Sequence, residues 1–419
     1  MALHGSTARR GSGAMFPLGM NLIVLTTTLT LGIAVCEVFL QRFHPVASAA
    51  FRLDDHLLHG LIPGSRRLFT PIPGNGSSVL VKVDDHGYRG DGFSEPRRGP
   101  RVVVYGDSFV EAAYTPLEET FVARLQSELR RELHQDALEA INAGVSAYGP
   151  DQSALRIEDE IAEIAPDLLV FCVFSGNDFG DLVRNRLFRF GPDGDLIEQH
   201  PVLAADVRKT FEDAQRTSRR PAVVRAVKSA WDAMNASALP AAFPNYIDDA
   251  LALRRKEYVE FAERNSNTVD NLLWDGYDAD VALDPESPSA QLKAELMARV
   301  LARIDRTTRA HHVPWLLVVI PDPVDVAGDD FELQVDETKY PSYRSWRLTS
   351  IVVDAARAQG IPFVNLYETL TEATGEPLFF RHGDNHWNSA GQAKAAAAVA
   401  GALAGQAVTV ARPALSVSR

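Results

Sequence analysis

The feature that most constrains this chain is a repeated exchange of short, continuously apolar runs for helix-patterned segments. RVVVY (Arg101–Tyr105), LEAIN (Leu138–Asn142), DLLVFCVF (Asp167–Phe174), VPWLLVVI (Val313–Ile320) and IPFVNL (Ile361–Leu366) read as strands. Asp151–Ile164, Ser289–Ala310, Tyr343–Gln359 and an Ala-rich Ser389–Leu403 read as helices. Between the first two strands, Phe121, Leu125, Leu129 and Leu133 recur at steps of four, which is one helix face. Just ahead of them, Thr115-Pro116-Leu117-Glu118 predicts a capping box with proline at the first helical position. Strands apolar on both faces and alternating with helices build βαβ units. The expected fold class is therefore α/β, with a central, parallel, doubly wound sheet.

The punctuation between these units sets the domain plan. Residues 41–97 are rich in Gly, Pro and Arg and read as a connector with one short strand, Val79–Val83. The exchange of strands and helices pauses at about 181 and resumes at about 290. The intervening residues are polar and helical, with breaks at Pro221, Pro240 and Pro244, as expected of an inserted helical region. The α/β domain thus spans 98–405, followed by a tail at 406–419.

The N-terminus poses a different problem. After a tail at 1–15, residues 16–40 carry no charge before Glu37, and Met20–Leu40 supply the roughly 20 apolar positions that a bilayer requires. A cleaved signal peptide would have an apolar core of about 7–15 residues followed closely by a small-x-small site. Here Ala47-Ser48-Ala49 lies beyond Arg42. The expectation is one retained membrane helix, with Arg9 and Arg10 on the cytoplasmic side and the body outside the cytoplasm, periplasmic in a bacterial envelope. Glu37 is tolerable only near the interface.

Composition excludes several functions. A net charge of −13 without a basic stripe excludes a nucleic-acid partner. No P-loop or GxGxxG motif is present, so no nucleotide cofactor is expected. His311-His312, His56/His59 and the aspartates at 322, 325, 329 and 330 lack metal-ligand spacing, so no metal site is expected. Cys36 and Cys172 fall in an apolar segment and a buried strand; both are expected to fill core, not to pair.

In open α/β sheets functional groups gather at the C-terminal ends of the strands. There the chain places Gly106-Asp107-Ser108, Asn142-Ala143-Gly144, Ser175-Gly176-Asn177-Asp178 and, opening the last helix, Gly383-Asp384-Asn385-His386-Trp387-Asn388. A serine hydroxyl needs an adjacent base to become a nucleophile, and that base needs a third group to orient it. Ser108, His386 and Asp384 are of the right types. Candidate donors to the oxyanion are the backbone N–H of Ser108, that of Gly144, and the Asn177 side-chain amide. Asp107 and Asp178 are expected to brace their turns, Trp387 to pack, and Asn388 to cap the last helix.

These four blocks, in this order, resemble the SGNH (GDSL-type) esterase and lipase superfamily, with Ser108, Gly144, Asn177 and His386 at the four namesake positions and Asp384 completing the triad. The resemblance covers roughly residues 98–182 and 313–403. It implies a flavodoxin-like, three-layer α/β/α fold and a serine ester hydrolase needing no cofactor. The implied substrate is a small acyl ester or an acylated envelope glycan. One membrane segment followed by a GYRG loop and the GDS strand is similar to envelope-anchored bacterial members. The last block departs from the usual Asp-x-x-His. Asp384-x-His386-Trp387 is similar to the block of SGNH-like O-acetyltransferases of exopolysaccharide assembly, which often carry it ahead of the serine. A glycan hydroxyl therefore stands beside water as the acyl acceptor. A third reading is a membrane-tethered, catalytically silent glycan-binding scaffold.

Overall fold

The structure, a computed structural model, describes residues 15–43, 45, 49–71, 74–234, 245–274, 276–373, 377–382 and 384–407. The tails before Met15 and after Ala407 lie outside the described residues, as do Ala47, Ser48 and Gly383. Helix α1 (Met15–Phe43) contains a stretch, Gly19–Phe43, long and apolar enough to cross a membrane. Leu22, Ile23, Leu25, Leu31, Val35 and Val38 on it are exposed, and Cys36 is exposed with them instead of filling a core.

The connector folds further than expected. Instead of one strand it forms two antiparallel hairpins, β1 (Phe51–Asp54) with β2 (Leu58–Leu61) and β3 (Arg66–Phe69) with β4 (Val79–Lys82). Strands of four residues give too few alternations to register as a period-2 pattern. Arg66 and Arg67 in β3 also hide a strand among residues that usually mark surface.

The α/β body then unfolds in order: β5 (Arg101–Gly106), α2 (Ser108–Glu111), α3 (Phe121–Leu133), β6 (Glu139–Gly144), α4 (Pro150–Ile164), β7 (Leu168–Phe174) and α5 (Asp178–Asn185). Helix α3 starts one turn later than the Thr115–Glu118 pattern predicts. A short 3₁₀ turn occupies Leu117–Glu119, and Thr120 caps α3 by accepting the Ala123 N–H. The inserted region is not purely helical. It opens with a hairpin, β8 (Phe188–Phe190) and β9 (Leu196–Glu198), and continues through β10 (Val202–Leu203), α6 (Ala205–Ser218), α7 (Ala222–Met234) and α8 (Tyr246–Tyr258). Strand β11 (Thr268–Val269) pairs in parallel with β10, and α9 (Ala279–Leu283) leads into α10 (Pro288–Ala310). The body resumes with β12 (Trp315–Ile320), α11 (Pro323–Val326), α12 (Arg347–Ala358), β13 (Phe363–Asn365), α13 (Leu366–Thr371) and α14 (Ser389–Ala407).

The central sheet has the order β13-β12-β7-β5-β6, all parallel, which is the SGNH-like α/β arrangement. Successive side chains along each strand point to opposite faces, so two cores result. Val102, Val104, Val170, Phe174, Leu316 and Val318 pack with α3 and α14. Val103, Tyr105, Phe171, Val173, Leu317 and Val319 pack with α4, α10 and α12 on the other face. Strand β5 lies between β6 and β7, so whatever follows Gly106 emerges at the sheet's C-terminal edge one strand in from the β6 side.

Candidate active site

Ser108 is the first residue of α2, a single turn that starts directly after β5. Asp107 caps that turn, its Oδ1 accepting the Phe109 N–H at 2.9 Å. This is the bracing role expected of it. Against Ser108 the structure brings His386, from a loop almost 280 residues later: Nε2 lies 2.7 Å from the Ser108 Oγ. His386 Nδ1 lies 2.8 Å from Asp384 Oδ1, and the same oxygen accepts the His386 backbone N–H at 3.0 Å. The carboxylate therefore accepts a hydrogen bond from Nδ1–H, fixing the proton there, and leaves Nε2 free to accept from the serine hydroxyl. Asp384 is nearly fully buried, and the imidazole keeps a small exposed edge.

The imidazole is also held by rings. Phe109 stacks on it at 5.2 Å and Tyr114 at 4.3 Å, centroid to centroid. Trp387 is fully buried and meets the Phe109 ring edge-on at 5.1 Å, so it packs as expected. Asn388 caps α14, its Oδ1 accepting the N–H groups of Ala390 and Gly391. Tyr114 carried no sequence signal, because nothing in its neighbourhood marks one aromatic residue as facing a histidine 272 residues away.

The donors expected for an oxyanion separate into three cases. Ser108's own N–H opens α2 and has no hydrogen-bond partner among the described residues. Asn177 stands at the N-cap position of α5, is 8% exposed, and its Nδ2 makes no hydrogen bond among the described residues. Gly144 differs. Its N–H donates to Asn142 Oδ1 at 3.0 Å. A Cβ at Gly144 would lie 2.6 Å from the Val110 carbonyl carbon and closer still to the Glu111 nitrogen. The glycine is required by the close approach of α2 to β6, not by the room a substrate needs. Three residues on, Ala147 adopts φ = 65°, and its N–H has no hydrogen-bond partner among the described residues. Left-handed backbone costs an alanine energy and persists where the surroundings enforce it.

Those surroundings are polar and buried. Glu111 Oε2 accepts the Ser146 N–H at 2.8 Å and its hydroxyl at 2.6 Å, while Oε1 pairs with Arg67 from β3. His59 of β2 donates from Nε2 to the Ser146 carbonyl at 3.0 Å. Burial holds this histidine down at about 4, so it remains neutral. Arg184 donates to the Ala147 carbonyl at 3.0 Å. The connector hairpins are thus part of the site's frame. Glu111 lies three residues after Ser108, one helical turn, and a helical reading of GDSFVE could have singled it out. Arg67 and His59 had no such signal.

The Asn177 loop has a brace of its own. Asp278 donates its N–H to the Gly176 carbonyl at 2.6 Å and accepts the Gly180 N–H at 3.0 Å. Asp278 pairs in turn with Arg254 at 3.0 Å and with Lys293, which also binds Asp280 at 2.8 Å. Burial pushes the Asp278 carboxyl up to about 6, against the pull of Arg254 and Lys293. Asp178 accepts the Phe174 N–H at 2.8 Å. Burial, with the Asp107 carboxylate next in weight, raises its carboxyl well above the usual range.

Residues 277–416 match the family model described as SGNH hydrolase-like domain, acetyltransferase AlgX. The matched segment includes Asp384 and His386 but not Ser108. No curated protein matches the chain. Among solved structures, the acetyl xylan esterase AlAXEase is similar at 14% identity, with 72% of this chain and 99% of that one covered and a TM-score of 0.35. The lipase/acylhydrolase from Enterococcus faecalis is similar at 11% identity over 73% and 96%, with a TM-score of 0.34. A catalytic mutant of Axe2, an acetylxylan esterase from Geobacillus stearothermophilus, is similar at 14% identity over 73% and 96%, with a TM-score of 0.36. The chain thus has an SGNH-like α/β fold with a central parallel sheet, and its residues 277–416 are similar to the SGNH hydrolase-like family model.

Proposed function

We propose that the protein is a serine-nucleophile enzyme acting on acyl esters, with Ser108, His386 and Asp384 as its triad. The observation that carries this reading is the continuous hydrogen-bonded line from Ser108 Oγ through both nitrogens of His386 to Asp384. In the first half-reaction Ser108 Oγ attacks the ester carbonyl and its proton passes to His386 Nε2. The N–H of Ser108, the amide of Asn177 and the N–H of Ala147 stabilise the oxyanion; Ala147 takes the place expected of Gly144. Collapse expels the alcohol, which takes the proton from His386, and leaves an acyl group on Ser108. Water then attacks, with His386 again as base, and releases the acid.

A second reading replaces water with a glycan hydroxyl in that last step. It is favoured by the matched model, whose description names an acetyltransferase, and by the Asp-x-His-Trp block. The substrate class for either is a small acyl ester or an acetylated glycan at the cell envelope, reached by a body tethered through α1 outside the cytoplasm.

The test uses a fluorophosphonate probe and p-nitrophenyl acetate on wild type and Ser108→Ala. Labelling and turnover that vanish in the variant support the serine enzyme. A folded wild type that does neither would return Ser108 to the role of a turn residue and favour the silent scaffold. Oligosaccharide that accelerates release of p-nitrophenol and becomes acetylated assigns acyl transfer; indifference to it assigns hydrolysis.

A further inference from the structure

The inserted region holds a helix with an exposed apolar face. Along α7, Val224, Val227, Trp231 and Met234 fall at steps of three and four and form one stripe. They are 46%, 66%, 65% and 74% exposed, comparable to the exposed apolar residues of α1 at 50–67%. The opposite side of α7 turns inward through the buried Ala222 and Arg225. Four large apolar side chains in one exposed stripe are unusual on a soluble surface and mark a contact with another apolar phase.

The position of the stripe says which phase. Helix α7 packs beside α1. Its first two N–H groups, those of Ala222 and Val223, donate to the two carboxylate oxygens of Glu37 at 2.6 and 2.9 Å. Glu37, the one acid in the apolar segment, therefore serves as the cap of a neighbouring helix. Glu37 lies six residues before Phe43, or about 9 Å below the end of α1 at the helical rise. From Gly19 it lies about 27 Å along the axis, close to the roughly 30 Å thickness of a hydrocarbon core. Helices that lie in a membrane surface bury their apolar face about 5–10 Å into the headgroup and acyl boundary. The start of α7 is pinned at that depth. Arg42, at the end of α1, and Arg219 and Arg220, just before α7, supply cations on the headgroup side.

We propose that α7 is a second membrane-contacting element: an in-plane amphipathic helix whose Val224/Val227/Trp231/Met234 face sits in the bilayer interface, fastened to α1 through Glu37. This rests on the reading of α1 as a retained anchor. It also gives that anchor a function beyond tethering. Two attachment points limit rotation of the body about α1 and hold the catalytic edge at a set orientation to the membrane surface.

The test uses the full chain in phosphatidylcholine/phosphatidylglycerol vesicles, with wild type and Trp231→Phe side by side. Flotation reports the anchor; quenching of tryptophan fluorescence by phosphatidylcholine brominated on its acyl chains reports α7. The other four tryptophans, Trp274, Trp315, Trp346 and Trp387, lie in the body and provide the unquenched background. The expected result is flotation of both proteins, with bromolipid quenching in wild type that is lost in Trp231→Phe. Flotation with equal quenching in the two proteins overturns the proposal and leaves the anchor standing, as does a cross-linked dimer through the α7 face without quenching. Failure to float overturns the anchor reading and the proposal with it.

Discussion

The two faces of the central sheet support the two halves of the site by different means. On the α3/α14 face, the proposed base, His386, stands on apolar material: Phe109, Trp387, Phe174 and the alanines of α14 form one continuous core under its loop. On the α4/α5/α10 face, the expected oxyanion donors stand on buried charge: Glu111–Arg67 under Ser146, and Arg254–Asp278–Lys293 under the Asn177 loop. The difference matches what each half must do. An imidazole that shuttles a proton needs a fixed ring and a dry back, which packing supplies. Backbone donors on irregular loops need their carbonyls and amides satisfied one by one, because a buried unpaired group costs about 1–3 kcal/mol.

The largest effect should come from the shared element that orients the base. Asp384→Asn keeps the shape but can no longer fix the proton on Nδ1, and kcat on p-nitrophenyl acetate should fall by roughly 10⁴-fold. A fall of less than tenfold, with the variant folded, would remove Asp384 from the triad. On the polar side, Asn177→Ala should lower kcat by roughly 10²–10³-fold, the cost of one oxyanion donor, with little change in KM. An effect on KM alone would make Asn177 a substrate-binding residue instead.

These two predictions concern residues that were legible before the fold was known, and the reason is local. GDS, SGND and DNHW each bundle a functional side chain with the turn chemistry that presents it, and each follows or precedes a long apolar run. The supports were not legible. Asp278 and Lys293 lie 101 and 116 residues from Asn177, in a polar stretch that reads as surface because charge is normally solvated. Only the fold shows that these charges are paired with each other and buried. Gly144 was legible only as a candidate oxyanion donor; what requires a glycine there is the Val110–Glu111 backbone, which no spacing rule reveals. In the connector only β4, a continuous VLVK run, was legible; β1, β2 and β3 are four-residue strands interrupted by charged residues, His or Gly and escaped.

The third prediction separates the two faces directly. Asp278→Ala strips Arg254 and Lys293 of a partner inside the protein and should lower unfolding free energy by about 3 kcal/mol. Because the Asp278 carboxylate also accepts the Gly180 N–H, three residues after Asn177, kcat of the remaining folded enzyme should fall as well. Leu125→Ala on the apolar face should cost a similar stability, about 3 kcal/mol, and leave kcat of the folded enzyme unchanged. Equal kcat in both variants would show that the ionic brace contributes stability alone.

The smallest expected effect is a pH dependence that belongs to the polar face. His59 is held at about 4 in the folded chain, chiefly by burial and partly by Arg184, against 6.5 for an ordinary histidine. Between these values the unfolded chain binds a proton that the folded chain does not. Stability contributed by this residue is therefore full above 6.5 and declines as the pH falls toward 4. From pH 7 to pH 5.5 the loss is about 1 kcal/mol. His59→Gln, whose amide can still donate to the Ser146 carbonyl, should lack this part of the acid slope in urea titrations at the two pH values. If the slope is unchanged, another group controls the acid limb, and the Ser146–Ala147 loop does not depend on a neutral His59. If the slope flattens while activity at neutral pH persists, the carbonyl of Ser146 needs only a donor there, and the charge-free state of His59 is a consequence of its burial.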